Sequence, residues 1–335
     1  MKSSVPLYCF GDSYTLGNGA SPVSKGYAEI IKARFGCSLV NLAAGGTGVT
    51  RAVANAFSSL PSGGGKTLTL MAGFNDLSRG GGEPTLQKIE NETRAFLANA
   101  FLNSAVPANY ASVVRTGTWT VATAGAWAQK ASLGLGGGCL FNNGGGQLTW
   151  SFSGDSAVIG MWDTNGVTYT LSPVEIRVDG ALVRTYNPQG QTDGNVDAYP
   201  QEQFMGLSHT VVVLTDLGSG AHTLEVTGVG PHYTFVDYFG TLAAPGNCPQ
   251  LLVGDVPHLN AAGLALLPLR STARDDEASA RIRLVVSEFA ALGFPAYPIP
   301  VNDAYDPETM AGTDNLHPGN AGHAAIARAF SVRIP

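Results

Sequence analysis

The chain has 335 residues, 44% of them hydrophobic and 13% charged, which is enough apolar content to bury a core and too much for intrinsic disorder. The length suits two domains, or one large domain carrying an insertion. A formal net charge of −6 argues against nucleic acid or an anionic membrane as partner, and no apolar run approaches the span of a bilayer.

The first third alternates strand and helix. Val5–Phe10 is a short apolar run ending at Gly11, Gly26–Arg34 has helical spacing through Tyr27, Ile30 and Ile31, and Ser38–Ala43 reads as a second strand. Thr50–Leu60 reads as a helix stopped by Pro61, Lys66–Ala72 as a third strand, and Thr85–Asn103 as a long amphipathic helix with Pro84 near its start. This alternation predicts a parallel sheet with helices on its faces.

Between 106 and 247 the pattern changes. Four Lys/Arg stand against ten Asp/Glu there, while the remainder carries fifteen of each, and all four tryptophans fall in this stretch. Short alternating runs appear at Leu148–Phe152, Val174–Val178, Thr210–Leu214 and Thr223–Val226, with Asp179-Gly180 as a hairpin turn signal between two runs. The expectation is an antiparallel β-sandwich of jelly-roll type, inserted whole. After Pro245 the earlier rhythm returns: Leu251–Val256 as strand, Arg274–Leu292 as helix, Ala296–Pro300 as a short strand and Asn320–Ser331 as a closing helix. The predicted organisation is a discontinuous α/β domain at 1–105 and 248–335 with an inserted β module at 106–247.

Four short signals in the α/β portion follow apolar runs: Gly11-Asp12-Ser13, Asn41 to Gly46, Gly73-Phe74-Asn75-Asp76 and Asp314-Asn315-Leu316-His317. The carboxyl edge of a parallel sheet is where open α/β folds hold their ligands. Ser13 is a candidate nucleophile, inert until a base takes its proton. His317 suits that base, with Asp314 three residues earlier to hold its tautomer. The Gly46 N–H and the Asn75 amide are candidate oxyanion donors. Each signal alone has a commoner explanation as a turn or a cap. Together, each after a strand, they favour acyl transfer.

The four segments resemble the blocks of the SGNH, or GDSL, hydrolase superfamily. The resemblance covers roughly 1–105 and 248–335 and implies a flavodoxin-like three-layer α/β/α fold that hydrolyses esters or thioesters through an acyl-serine. It assigns Ser13 as nucleophile, Asp314 and His317 as acid and base, and Ser13 N–H, Gly46 and Asn75 as oxyanion donors. Tyr14 departs from the leucine of the family name, Phe74 replaces a smaller or polar residue in the wall beside the oxyanion site, and the Gly45-Gly46 doublet leaves the donor open by one residue.

Rival motifs fail. Gly63-Gly64-Gly65-Lys66-Thr67 lacks the first glycine of a phosphate loop and opens a strand, and Gly11 to Thr15 lacks the last glycine of an α/β-hydrolase elbow. The four cysteines follow no metal-ligand spacing; Cys139 and Cys248, both near the module, are the pair a disulfide would join. No cofactor is expected, and no tight acidic loop points to a structural Ca²⁺ in the module.

Inserted modules in esterases of this resemblance are similar to carbohydrate-binding modules. Trp119, Trp127 and Trp162 are candidate sugar platforms, whereas Trp150 reads as core. The insertion point leads us to expect the module near the catalytic edge. The function expected is removal of short acyl groups, chiefly O-acetyl, from an acylated glycan. The alternatives are a lipase-like or thioester hydrolase of longer chains and a non-catalytic glycan-binding component, such as one of a phage tail. No signal peptide is visible, and a glycan substrate points to an extracellular, cell-surface or phage-borne setting.

Overall fold

The computed structural model describes residues 5–59, 63–80, 82–121, 139–163, 170–188 and 208–334. They form a mixed α/β chain with two compact units: Met1–Ala56 with Leu60–Phe101 and Ala244–Pro335, and Leu102–Ala243 with Phe57–Ser59. No helix among the described residues is long and apolar enough to cross a membrane.

The first segment runs through β1 (Leu7–Gly11), a short helix Ser13–Leu16, a helix Tyr27–Phe35, β2 (Leu39–Asn41), a helix Val49–Ser59, β3 (Thr67–Met71) and the helices Phe74–Arg79 and Glu83–Ala100. Pro84 lies in the first turn of the last helix, where its missing N–H costs nothing. That helix stops at Ala100, short of the expected Asn103, and Leu102 already begins a strand.

The second unit comprises β4 (Leu102–Pro107), β5 (Val113–Thr116), β6 (Thr120–Val121), β7 (Leu140–Asn143), β8 (Gln147–Ser153), β9 (Ala157–Asp163), β10 (Val174–Val178), β11 (Ala181–Tyr186), β12 (Ser208–Leu214), β13 (Ala221–Gly228) and β14 (Tyr233–Leu242). They make two antiparallel sheets, ordered β11-β10-β13-β8-β5 and β12-β9-β14-β7-β6, with β4 paired to β14. Alternate residues of β8 and β10 are buried, and Trp150, Ile176, Leu224, Ile159 and Phe239 from both sheets join one core. Asp179-Gly180 closes the β10–β11 hairpin with φ of 52° and 80°, the positive pair that a two-residue turn of this hand requires.

Beside that turn, His222 Nδ1 faces Asp179 Oδ2 at 2.8 Å and Nε2 faces the Gly218 carbonyl at 3.1 Å. Both partners only accept, so making both bonds requires the imidazolium. The Asp179 bond, then the Gly218 carbonyl, raise His222 above its ordinary 6.5; the His222 bond, then Thr223 N–H, lower Asp179 below 3.8. Stability from the raised imidazole is complete below 6.5 and lost as pH climbs through the folded value. Stability from the depressed carboxyl is present above 3.8 and lost as pH falls through its own folded value. Asp179→Asn keeps an acceptor for Thr223 N–H and is expected to lower the melting temperature in mild acid, with the deficit narrowing as alkali discharges His222. A deficit that does not vary with pH in thermal melts contradicts this.

The chain then returns through β15 (Gln250–Gly254), the helices Ala261–Leu266 and Thr272–Ala291, β16 (Ala296–Ile299), a short helix Pro307–Met310 and the helix Asn320–Ser331. Ser271 caps the long helix by accepting Arg274 N–H. Among the described residues, the parallel sheet is ordered β16-β15-β3-β1-β2. Central β3 is buried at every position, as expected of a parallel strand covered on both faces. Cys139 and Cys248 form no disulfide, and the Cys248 thiol points to the Ala244 carbonyl at 3.5 Å instead.

Candidate active site

β1 delivers its chain end to a cap. Asp12 precedes the helix Ser13–Leu16, and its Oδ1 accepts Tyr14 N–H at 3.0 Å. Ser13 therefore opens the first helical turn at the carboxyl end of a central strand, 5% exposed. Burial pushes the Asp12 carboxyl up to about 7, with the Tyr14 bond pulling the other way.

Ser13 Oγ lies 2.9 Å from His317 Nε2, and His317 Nδ1 lies 2.6 Å from Asp314 Oδ2. An ionised carboxylate cannot donate, so the proton sits on Nδ1 and Nε2 is left to accept from the serine hydroxyl. Asp314 Oδ1 accepts both Leu316 N–H and His317 N–H at 3.0 Å, closing a tight turn around the base. Burial raises the Asp314 carboxyl, but the bonds from His317 N–H, the His317 ring and Leu316 N–H outweigh it and hold the group below its ordinary value. It therefore stays ionised at neutral pH.

The helix Phe74–Arg79 grips the loop after β2. Asn75 Nδ2 donates to the Thr47 carbonyl at 2.9 Å, Asp76 Oδ2 accepts Val49 N–H at 2.9 Å, and Arg79 Nη2 donates to the Gly46 carbonyl. Lys88 Nζ balances Asp76 at 3.0 Å. Gly46 takes φ of 73°, and a Cβ on Gly48 would stand 2.5 Å from Asp76 Oδ1. Side chains there would break the grip. Asn75 keeps a second amide hydrogen beyond the one given to Thr47.

Two of the substrate-facing expectations, Phe74 and Trp162, need correction. Phe74 is buried, with the Arg270 guanidinium 4.2 Å over its ring and Tyr14 at 4.9 Å, so it supports the site from within. Arg270 is itself fixed by Asp275 at 2.8 Å and by the Pro257 carbonyl at 3.0 Å. Trp162 is 3% exposed, packed on His209 at 3.9 Å in a strand buried at every position, so it offers no face to a sugar. Trp119 is half-buried against the second unit's core and donates to the Thr116 carbonyl at 3.1 Å. Trp127 lies outside the described residues.

His323 sits within the last helix, fully buried, its Nε2 on the Asn18 carbonyl at 2.9 Å. Among the described residues, no group of three or more His, Cys, Asp or Glu side chains is placed to hold a metal ion. Sequence reasoning missed Asp76, Arg79, Arg270 and the tie made by Tyr14. Residues 75, 76 and 79 share one short helix, and that spacing was the available signal for the first two.

No protein-family model matches the chain, and no curated protein does. Among solved structures it is similar to a two-domain esterase (CEX) active on acetylated mannans, co-crystallized with mannopentaose, at 13% identity over 72% of this chain and 91% of that one, TM-score 0.38. It is also similar to a family 35 carbohydrate binding module from Clostridium thermocellum, at 18% identity over 42% of this chain and 99% of that one, TM-score 0.29. A third likeness is to a module of the same family from Paenibacillus barcinonensis, at 14% identity over 42% of this chain and 100% of that one, TM-score 0.30. Likenesses this distant do not assign a chemistry.

Proposed function

We propose that the chain is a serine esterase of the SGNH type that removes short acyl groups, chiefly O-acetyl, from a carbohydrate. The observation that carries the esterase reading is the line Ser13 Oγ, His317 Nε2, His317 Nδ1, Asp314 Oδ2, joined at 2.9 and 2.6 Å across 304 residues of sequence. The sheet order supports the family assignment, since in strand numbers of the first unit it reads 2-1-3-4-5, the flavodoxin-like arrangement. The inserted two-sheet unit, read as a jelly-roll carbohydrate-binding module, motivates the glycan part of the proposal.

In this mechanism Ser13 Oγ attacks the ester carbonyl carbon while its proton passes to His317 Nε2. Ser13 N–H, Gly46 N–H and the second Asn75 amide hydrogen receive the oxyanion. Collapse breaks the bond to the sugar oxygen, which takes the proton from His317 and leaves as the hydroxyl. Water then attacks the acyl-serine, giving its proton to His317; acetate departs and Ser13 recovers that proton. Asp314 stays ionised and orients the ring. These residues need no metal or cofactor to complete the cycle.

Acetate release from a panel of acetylated glycans tests the reading. Wild type is expected to release acetate from at least one, and Ser13→Ala to fall to background. Equal release by both proteins, or none by wild type on any glycan or simple acetate ester, sinks it.

One observation favours a second reading, hydrolysis of longer acyl chains. Leu266 is 58% exposed and Leu269 41% exposed in the segment that follows Asn260, whose Nδ2 bonds Asn315 Oδ1 at 3.1 Å in the base's own turn. Exposed apolar side chains in that segment would suit an acyl chain. A series of p-nitrophenyl esters separates the readings, since activity rising beyond butyrate selects the second.

A further inference from the structure

We propose that Tyr14 is a positioning residue that couples the nucleophile's helix to the base's turn and so sets the Ser13–His317 separation; this rests on the esterase reading above. Tyr14 directly follows Ser13, and Leu316 directly precedes His317. The Tyr14 hydroxyl donates to the Leu316 carbonyl at 2.5 Å, bridging 302 residues. Two links therefore join the same two elements side by side: Ser13 to His317, and Tyr14 to Leu316.

The second link acts on a particular peptide plane. The Leu316 carbonyl and the His317 N–H belong to one planar unit and point in opposite directions. Tyr14 holds the carbonyl end, and Asp314 Oδ1 holds the N–H end at 3.0 Å. With both ends fixed, the plane cannot rotate, and the Cα from which the imidazole projects is fixed with it. The same turn carries Asn315 at φ of 59°, a left-handed conformation that asparagine adopts more readily than most residues with a side chain.

The ring of Tyr14 is held independently of its hydroxyl. It is fully buried, 4.9 Å from the Phe74 ring and 5.7 Å from the His317 imidazole. Phe74 immediately precedes Asn75, so one aromatic side chain touches the elements that carry the nucleophile, the base and the amide donor. Burial raises the phenol well above 10, so it remains a proton donor across any pH at which a neutral imidazole works. Leucine, which the family name has here, lacks the donor.

The competing view is that the hydroxyl only adds stability. Tyr14→Phe separates the two because the ring, and hence the packing, stays. Three quantities are read: kcat and KM on p-nitrophenyl acetate; the rate at which a fluorophosphonate labels Ser13, displacing fluoride as His317 takes the proton; and the downfield proton resonance of the His317–Asp314 hydrogen bond. Expected for Tyr14→Phe are a kcat and a labelling rate lower by about ten- to a hundredfold, the scale of a reacting group misplaced by up to an ångström. KM should be little changed and the downfield resonance shifted or broadened. Tyr27→Phe removes another fully buried hydroxyl, one bonded to Thr15 Oγ1 at 3.0 Å, and is expected to lower the melting temperature while labelling at the wild-type rate.

Wild-type labelling rate and an unmoved downfield resonance in Tyr14→Phe overturn the role of Tyr14 and leave the esterase reading standing. Equal kinetic losses in both variants overturn it as well, since the effect is then generic. Wild type that neither hydrolyses the ester nor takes up the phosphonate refutes the esterase reading and this inference with it.

Discussion

Replacing His317 with alanine is expected to lower kcat on a short ester by about 10⁶-fold, the scale on which a serine–histidine pair fails when one member is lost. The geometry explains the size. Nε2 stands 2.9 Å from Ser13 Oγ, and within the described residues no other side chain is recorded on that hydroxyl. Without the imidazole the serine has no acceptor for its proton and no donor for the departing alkoxide. Both halves of the cycle stop. Ser13→Ala added to His317→Ala is expected to cost almost nothing more, because the two residues act as one unit. The residual rate should then come from the oxyanion donors alone. Single-turnover kinetics on p-nitrophenyl acetate measure all three variants. A double variant that loses as much again as either single one would show that the two side chains act separately, and the proposed mechanism would fall.

How far the sequence could reach depended on what each feature requires. Ser13 and Asn75 stood out because parallel strands announce themselves as short apolar runs, and both lie just past one, after β1 and β3. The expectation that the Asp314–His317 block also follows a strand does not hold, since β16 ends at Ile299 and the helix Pro307–Met310 intervenes. The helix Asn320–Ser331 was legible to the residue, since the apolar spacing starts just past Pro318-Gly319. The second unit was harder. β9 and β14 are buried along almost their whole length and show no alternation, while β11 is exposed almost throughout, so its apolar start at Ala181-Leu182-Val183 does not alternate either. A period of two appears only where one face is wet and the other dry, as in β8 and β10. The same circumstance misled the reading of Trp162: in a strand with no wet face, no side chain is left over for a ligand. Leu102 and Asn103 were read as the tail of a helix because sequence does not mark where a helix yields to a strand without glycine or proline between them. Whether Cys139 and Cys248 could bridge depended on a Cα separation that spacing along a chain does not fix. Tyr14 was visible as a departure, but its partner lies 302 residues away and is a backbone carbonyl, which every residue carries and no motif can flag.

Asp314→Asn is expected to lower kcat by about 10⁴-fold, and the cause is a tautomer, more than a lost charge. The Asp314 side chain is 47% exposed, so water screens its field at the ring. What water cannot replace is the orientation. One carboxylate oxygen accepts two backbone N–H groups, from Leu316 and His317, and the other accepts His317 Nδ1–H. In asparagine the oxygen must stay with the two backbone donors, because turning the amide would set its NH₂ against both of them, at roughly 1–3 kcal/mol for each donor left unpaired. The NH₂ is therefore directed at His317 Nδ1. That nitrogen must then accept, the ring proton moves to Nε2, and Nε2 presents a hydrogen to Ser13 where it needs a lone pair. The base is in place and pointing the right way, but already protonated on the wrong atom. Nitrogen-15 spectra of His317 should report the neutral ring protonated on Nδ1 in wild type and on Nε2 in the variant, with kcat falling in step. A variant that keeps its Nδ1 proton, or retains more than about a tenth of the wild-type kcat, shows that the carboxylate does not choose the tautomer.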